Sequence, residues 1–175
     1  MKTKFVLFYF LANMIAGMEI QISIDKQELK VVDNKKIVKT YIISSSSYGE
    51  GSEEGSFKTP LGEHFIKKKI GDGVELGGRF EGRVFYGEIY PIYKKDEVYV
   101  DDDVVQTRIL WLSGLEEGKN KGKGVDSFER YIYIHGTPHR DNLGLAKSHG
   151  CIRMRDEDIV ALFNQVDVGT LVFID

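Results

Sequence analysis

A chain of 175 residues fits a single domain, and 42% hydrophobic with 29% charged residues is ordinary globular material, which excludes a disordered or fibrous chain. The formal net charge of -3, with lysines scattered among carboxylates, offers no basic field to hold a phosphate backbone, so nucleic acid is not expected as a partner. The single cysteine excludes an internal disulfide framework.

Residues 1–4 are cationic and residues 5–17 form an apolar run ending in the small residues Ala16 and Gly17. This pattern resembles a secretory signal peptide over 1–17, leaving 18–175 as the working domain with no transmembrane segment once the signal is removed. The run is too short for a bilayer span, which needs about 20 apolar residues. An alternative is that Met18 is the true start.

From residue 19 to residue 45 three runs of β-formers follow one another: 20–24, 28–32 and 37–43. Asp33-Asn34 between the last two supplies turn chemistry, so the segment reads as a β-meander. A polar, glycine-rich stretch, 44–58, leads into Thr59-Pro60-Leu61-Gly62, where proline and glycine turn the chain into another strand over 64–70. The glycine-rich span 71–87 reads as loops and short edge strands. Residues 107–112 have an unbroken apolar centre, which predicts a strand buried on both faces. Residues 114–126 carry glycines, lysines and carboxylates with little to bury, and are expected to form a mobile loop that could cover a site.

A strand over 131–134 then runs directly into His135-Gly136-Thr137-Pro138. After the segment Lys147-Ser148-His149-Gly150-Cys151-Ile152-Arg153-Met154, Asp156 is expected to cap a helix that places Ile159, Leu162 and Phe163 on one face. Gly169 ends that unit, and 170–174 is a closing strand.

In the absence of context a lone cysteine is a small buried hydrophobe. Here the neighbours matter. A thiol titrates near pH 8.5 in isolation, and an imidazole that accepts or stabilises its proton makes it a working nucleophile, so Cys151 with His135 and His149 reads as an acyl-transfer centre. Gly150 allows close approach, and the amides of Gly150 and Cys151 are candidates to stabilise an oxyanion, at roughly 3 to 4 kcal/mol each. Arg153, two residues on, would share a side with Cys151 in an extended chain, where its planar fork suits a substrate carboxylate; equally, it could pair with Asp156 or Asp158 at the helix start. Zinc is chemically conceivable from His135, His139, His149 and Cys151, but Gly136 and Pro138 break the helix that would pair the first two, so no metal is assigned. His64 and His139 read as polar surface or rim residues.

Ile134-His135-Gly136-Thr137 together with Ser148-His149-Gly150-Cys151-Ile152-Arg153-Met154 resembles the L,D-transpeptidases with the YkuD catalytic domain, of the ErfK/YbiS/YcfS/YnhG kind. Thr59-Pro60-Leu61-Gly62-Glu63-His64 is similar to that family's threonine-proline-x-glycine-x-phenylalanine signature, with His64 where phenylalanine is usual. Asp156 likewise stands where many relatives carry asparagine. The resemblance implies a mainly β fold, a sandwich or wrapped sheet cradling the cysteine loop, with one short late helix. It implies that Cys151 attacks a carbonyl of a peptidoglycan stem tetrapeptide and releases D-alanine. His135 would be general base and acid, oriented by the backbone carbonyl of Gly136. Ser148, His149 and Gly150 would shape the motif loop and oxyanion site, and Arg153 and Thr137 would meet the stem peptide. No cofactor is called for. The acceptor would be a second stem, a wall-anchored lipoprotein amine, or water; water makes the enzyme an L,D-carboxypeptidase. Such an enzyme would be exported to the periplasm or cell envelope. A wall-binding module that kept the fold without chemistry is the reading from another class.

Overall fold

In the computed structural model, the described residues are 17–90 and 103–175. The signal-peptide expectation falls on 1–17, of which 1–16 lie outside the described residues. The strands are β1 (Met18–Ser23), β2 (Glu28–Asp33), β3 (Lys36–Ile42), β4 (Gly62–Ile70), β5 (Gly78–Glu81), β6 (Val84–Ile89), β7 (Gln106–Gly114), β8 (Tyr133–Gly136), β9 (Ile152–Met154) and β10 (Leu171–Ile174), with the helix α1 (Asp156–Gln165) between the last two. The strands join in one mixed sheet of order β3-β2-β1-β10-β4-β7-β5-β6, while β8 branches from β7 and carries β9. Among the described residues the expected mainly β fold with one late α-helix is what forms.

Local chemistry accounts for most of the pairing. In the β1–β3 meander Gln27, Asn34 and Lys35 take positive φ at the corners. In β1 the alternation buries Ile20 and Ile22 while Gln21 faces out, the period of a half-covered strand. The strand β7 is buried at every position, as its apolar run predicts. Leu110 and Leu112 join the main core with Ile20, Leu29, Ile134 and the α1 residues Ile159, Leu162 and Phe163. Ile109 and Trp111 point the other way, into a smaller cluster with Phe80 and Tyr133 that Cys151 also packs against. One strand therefore separates two cores.

Three expectations need correction. The strand leading to His135 begins at Tyr133, because Tyr131 takes a positive φ of 59° and breaks the extension. Asp156 is not the cap of α1: Arg155 holds that position, and the Asp156 carboxylate is buried, accepting from Gln106 Nε2 at 2.9 Å and from the Thr107 hydroxyl. The segment 114–126 is tied down. The fully buried Asn120 side chain donates to Leu61 O at 2.9 Å and Glu63 O at 3.1 Å, and Asp126 accepts the amides of Gly122, Phe128 and Glu129. Composition cannot reveal that short polar side chains will satisfy a loop's own backbone.

Candidate active site

The strands β8 and β9 pair in parallel, with His135 opposite Arg153 and Ile134 opposite Ile152, which brings the segments of His135 and Cys151 side by side. Side chains two apart share a face of a strand, so Tyr133 and His135 on β8 run beside Cys151 and Arg153 on the other chain segment. The Tyr133 amide donates to Cys151 Sγ at 3.4 Å, and the thiol donates to Tyr131 O at 3.3 Å. Cys151 is half-buried.

The loop before it is held from both sides by residues remote in sequence. Ser148 N and Lys147 N both donate to Ser45 O at 2.8 Å, and Ser47 N donates to Ser148 O at 3.0 Å. The Ser148 hydroxyl donates to Cys151 O at 2.6 Å and accepts the Gly150 amide at 3.2 Å. The Thr59 hydroxyl donates to Gly150 O at 3.0 Å while accepting from Ser46 N. Gly150 has φ +121°, a conformation that side-chain-bearing residues rarely adopt, which is why glycine precedes the cysteine.

His135 is fully buried. Its Nδ1 lies 2.8 Å from Gly136 O, so Nδ1 carries the proton and Nε2 presents a lone pair; among the described residues no partner meets Nε2. Burial pulls the imidazole down to about 4, against the opposing Gly136 bond, with the Arg153 charge adding to the depression. The ring is a neutral base at physiological pH. Burial pushes the Cys151 thiol up to about 12, aided by the Asp103 charge and opposed by the Tyr133 amide, Arg153 and Arg130. The resting pair is thus thiol and neutral imidazole, with the proton on sulfur.

Arg153 is 1% exposed and its Nη2 donates to Asp103 Oδ1 at 2.9 Å, with Nη1 on Lys147 O at 3.2 Å. Neither Asp156 nor Asp158 takes it. Burial works against the Asp103 carboxylate, but the Arg153 bond and the neighbouring His135 and His149 hold it below the usual range. His149 is partly exposed, its Nδ1 3.7 Å from Asp103 and its ring against Tyr48 and Phe57. Arg130, half-buried, donates to Lys58 O at 2.7 Å. A groove of about 240 Å³, walled by Phe80, Arg83, Val105, Tyr131 and Tyr133, opens beside the two residues whose backbone touches the sulfur. Another hollow, of about 260 Å³ beside Glu19, His64 and Phe173, contains none of these groups.

The model of the YkuD family, described as the L,D-transpeptidase catalytic domain, matches residues 17–174. The chain belongs to the YkuD family. Among curated relatives it is similar to "Probable L,D-transpeptidase YbiS" of Escherichia coli, 55% identical over 47 residues, which is 26% of this chain and 15% of that protein. It is also similar to "Putative L,D-transpeptidase YqjB" of Bacillus subtilis, 44% identical over 52 residues, 30% of this chain and 28% of the relative. The matched stretches therefore span well under a third of those relatives' length. An L,D-transpeptidase from Mycobacterium smegmatis superposes over 91% of this chain and 59% of its own, with a TM-score of 0.56 at 17% identity. L,D-transpeptidase 3 from Mycobacterium tuberculosis, solved with a faropenem-derived adduct, covers 91% of this chain and 60% of its own with a TM-score of 0.53 at 18% identity. These likenesses carry the fold.

Within this YkuD domain, Cys151, His135, Gly136, Ser148, His149, Gly150 and Arg153 gather at one place. Thr137 sits just beyond, fully buried, its amide on Met154 O and its hydroxyl accepting the His139 amide, so its visible work is to hold the turn after β8. Gly136 has a second duty: a Cβ there would stand 2.4 Å from Asp156 Oδ1 and 2.8 Å from Gln106 O. The Gly150 amide is engaged by Ser148. His64 is not at the surface but fully buried, bridging Gly62 O and Ser127 Oγ at 3.0 and 2.9 Å, while His139 is half-buried. Sequence reasoning missed Asp103, Arg130, Tyr133, the serines 44–47 and the role of Thr59. Four consecutive serines, eleven residues before a Thr-Pro-x-Gly turn, are the one signal that a polar cradle forms there.

Proposed function

We propose that this domain is a cysteine L,D-transpeptidase acting on peptidoglycan stem peptides. The observation that carries the proposal is the buried, neutral His135, its tautomer set by Gly136 O and its Nε2 lone pair unpartnered among the described residues, on the strand paired beside the only thiol. Burying a polar atom without a partner costs about 1 to 3 kcal/mol, a cost that a proton acceptor in catalysis explains.

In the first half-reaction the Cys151 sulfur bonds to the stem carbonyl carbon as His135 Nε2 takes the thiol proton. The amide of Cys151 faces the developing oxyanion; the Gly150 amide, held by Ser148, instead fixes the loop. The tetrahedral species collapses, the C–N bond breaks, and His135 returns the proton to the leaving amine of D-alanine. In the second half-reaction an amine of another stem, or of a wall lipoprotein, attacks the thioester and Cys151 regains its proton. Arg153, tied to Asp103, sets the local field rather than gripping substrate in the free enzyme. Water as acceptor yields the L,D-carboxypeptidase alternative. Acting on that substrate, the protein would work in the periplasm or cell envelope; no helix among the described residues is long and apolar enough to cross a membrane.

The test is incubation of the purified protein with tetrapeptide stems, followed by mass spectrometry. Wild type should form an acyl adduct on Cys151 and cross-linked dimers, Cys151→Ala neither, and His135→Ala should lower the acylation rate at least a hundredfold. Tripeptide without dimers would assign the carboxypeptidase. Stem binding with no adduct in wild type would leave only a wall-binding module.

A further inference from the structure

Arg83 stands at the tip of the β5–β6 hairpin with a φ of +70°, so the turn throws its side chain back across the sheet. The guanidinium lies over the Trp111 ring at 5.0 Å and the Tyr131 ring at 4.8 Å, and Nη1 donates to the Tyr133 hydroxyl at 3.4 Å. Its charge is aimed by these three aromatics, and it forms no ion pair with any described residue, whereas nearby Arg79 is paired with Glu81 and Glu88. A half-buried arginine held flat in an aromatic groove, with its donors not engaged by an acid, has the form of a carboxylate receptor.

The groove fixes which carboxylate. Tyr133 spans it: its backbone amide touches Cys151 Sγ and its hydroxyl touches Arg83. Thiol and guanidinium are therefore separated by no more than the length of one tyrosine plus a 3.4 Å contact at each end. A peptide advances roughly 3.5 Å per residue, so within that limit the acid group of the first residue beyond the attacked carbonyl can come within hydrogen-bond contact of the guanidinium. A groove of about 240 Å³ suits one small residue rather than a continuing chain.

We propose that Arg83 binds the free terminal carboxylate of the residue that leaves when Cys151 is acylated, and so restricts this site to removing a single C-terminal residue. The assignment rests on the thioester reading above. The aromatic walls orient the guanidinium, whose planar fork suits a carboxylate, and Arg83 is a specificity residue that the motif segments do not contain.

The experiment compares two donor tetrapeptides, one ending in a free D-alanine acid and one in D-alaninamide, by the rate of Cys151 acyl-adduct formation in the purified full chain. Wild type should acylate with the acid at least tenfold faster. Arg83→Gln should lose at least tenfold on the acid peptide, through KM, and stay within twofold on the amide; Arg83→Lys should recover part of the preference. A variant that keeps the acid preference, or loses equally on both peptides, overturns the proposal while leaving the thioester reading intact. Wild type acylated by neither peptide overturns both.

Discussion

At the scale of single residues the site is organised by withheld solvation. A thiol at about 12 beside an imidazole at about 4 is the reverse of a preformed thiolate–imidazolium pair. Because both shifts belong to groups that titrate beside shared charges, the proton loss seen in solution is that of the pair. Cys151 alkylation by iodoacetamide in the free enzyme should rise with pH through 9 and beyond, with no plateau near the ordinary thiol value of about 8.5. A plateau between pH 6 and 8 would show a resting ion pair and contradict the arrangement. Cys151 and His135 stood out in the sequence through the motif segments around them, since by residue type alone a lone cysteine reads as a small buried hydrophobe. Asp103 and Arg130 were not legible: each matters only through a partner or field brought to it by the sheet, and a carboxylate among several says nothing about which arginine it will meet.

At the scale of elements the cysteine loop has little structure of its own. It is seated between residues 44–47 and Thr59, two stretches that carry no reacting group. Thr59→Val keeps the shape and removes the hydroxyl, leaving Gly150 O and Ser46 N without their partner. The variant should lose about 1 to 3 kcal/mol of stability and roughly tenfold in acylation rate, read by denaturant melting and adduct formation. Unchanged acylation would mean that the loop holds itself. The meander, the buried β7 and the helix face were readable from period and turn chemistry. The ordering of 114–126 and the true place of Asp156 were not, because both depend on where a short polar side chain finds a backbone or a hydroxyl after the sheet has formed. Asp156 supplies a case in point: a carboxylate that looks like a cap is instead a brace under Thr107, itself at positive φ in the bulge of β7.

At the scale of the whole molecule two buried histidines shape the response to acid. His64 and His135 both stay neutral down to about 4 in the folded state, while in the unfolded chain they take protons near 6.5. The unfolded state therefore binds more protons between those values, and stability falls as pH drops through the window, by on the order of 3 kcal/mol per histidine at its acid end. The raised Asp156 carboxyl works in the other direction, so the comparison needs a variant. His64→Phe, which removes one titrating group away from the active site, should flatten the fall in melting temperature between pH 6.5 and 4 by about half. An unaltered slope would locate the acid sensitivity elsewhere. Sequence reading placed His64 at the surface because its alternation within β4 could face either way until the neighbours were known. The pairing of β1 with β10 has a different kind of consequence. Ile20 and Ile22 lie opposite Val172 and Ile174, so among the described residues the first strand is joined directly to the last. During synthesis the meander can form as soon as it emerges, yet its inner edge waits for residues made some 150 positions later, and until then the main core, which needs Val172 and Ile174, cannot close. The strand β9, next to Cys151, is made only shortly before β10, so the cysteine loop and the strand that completes the main core reach the sheet at nearly the same stage.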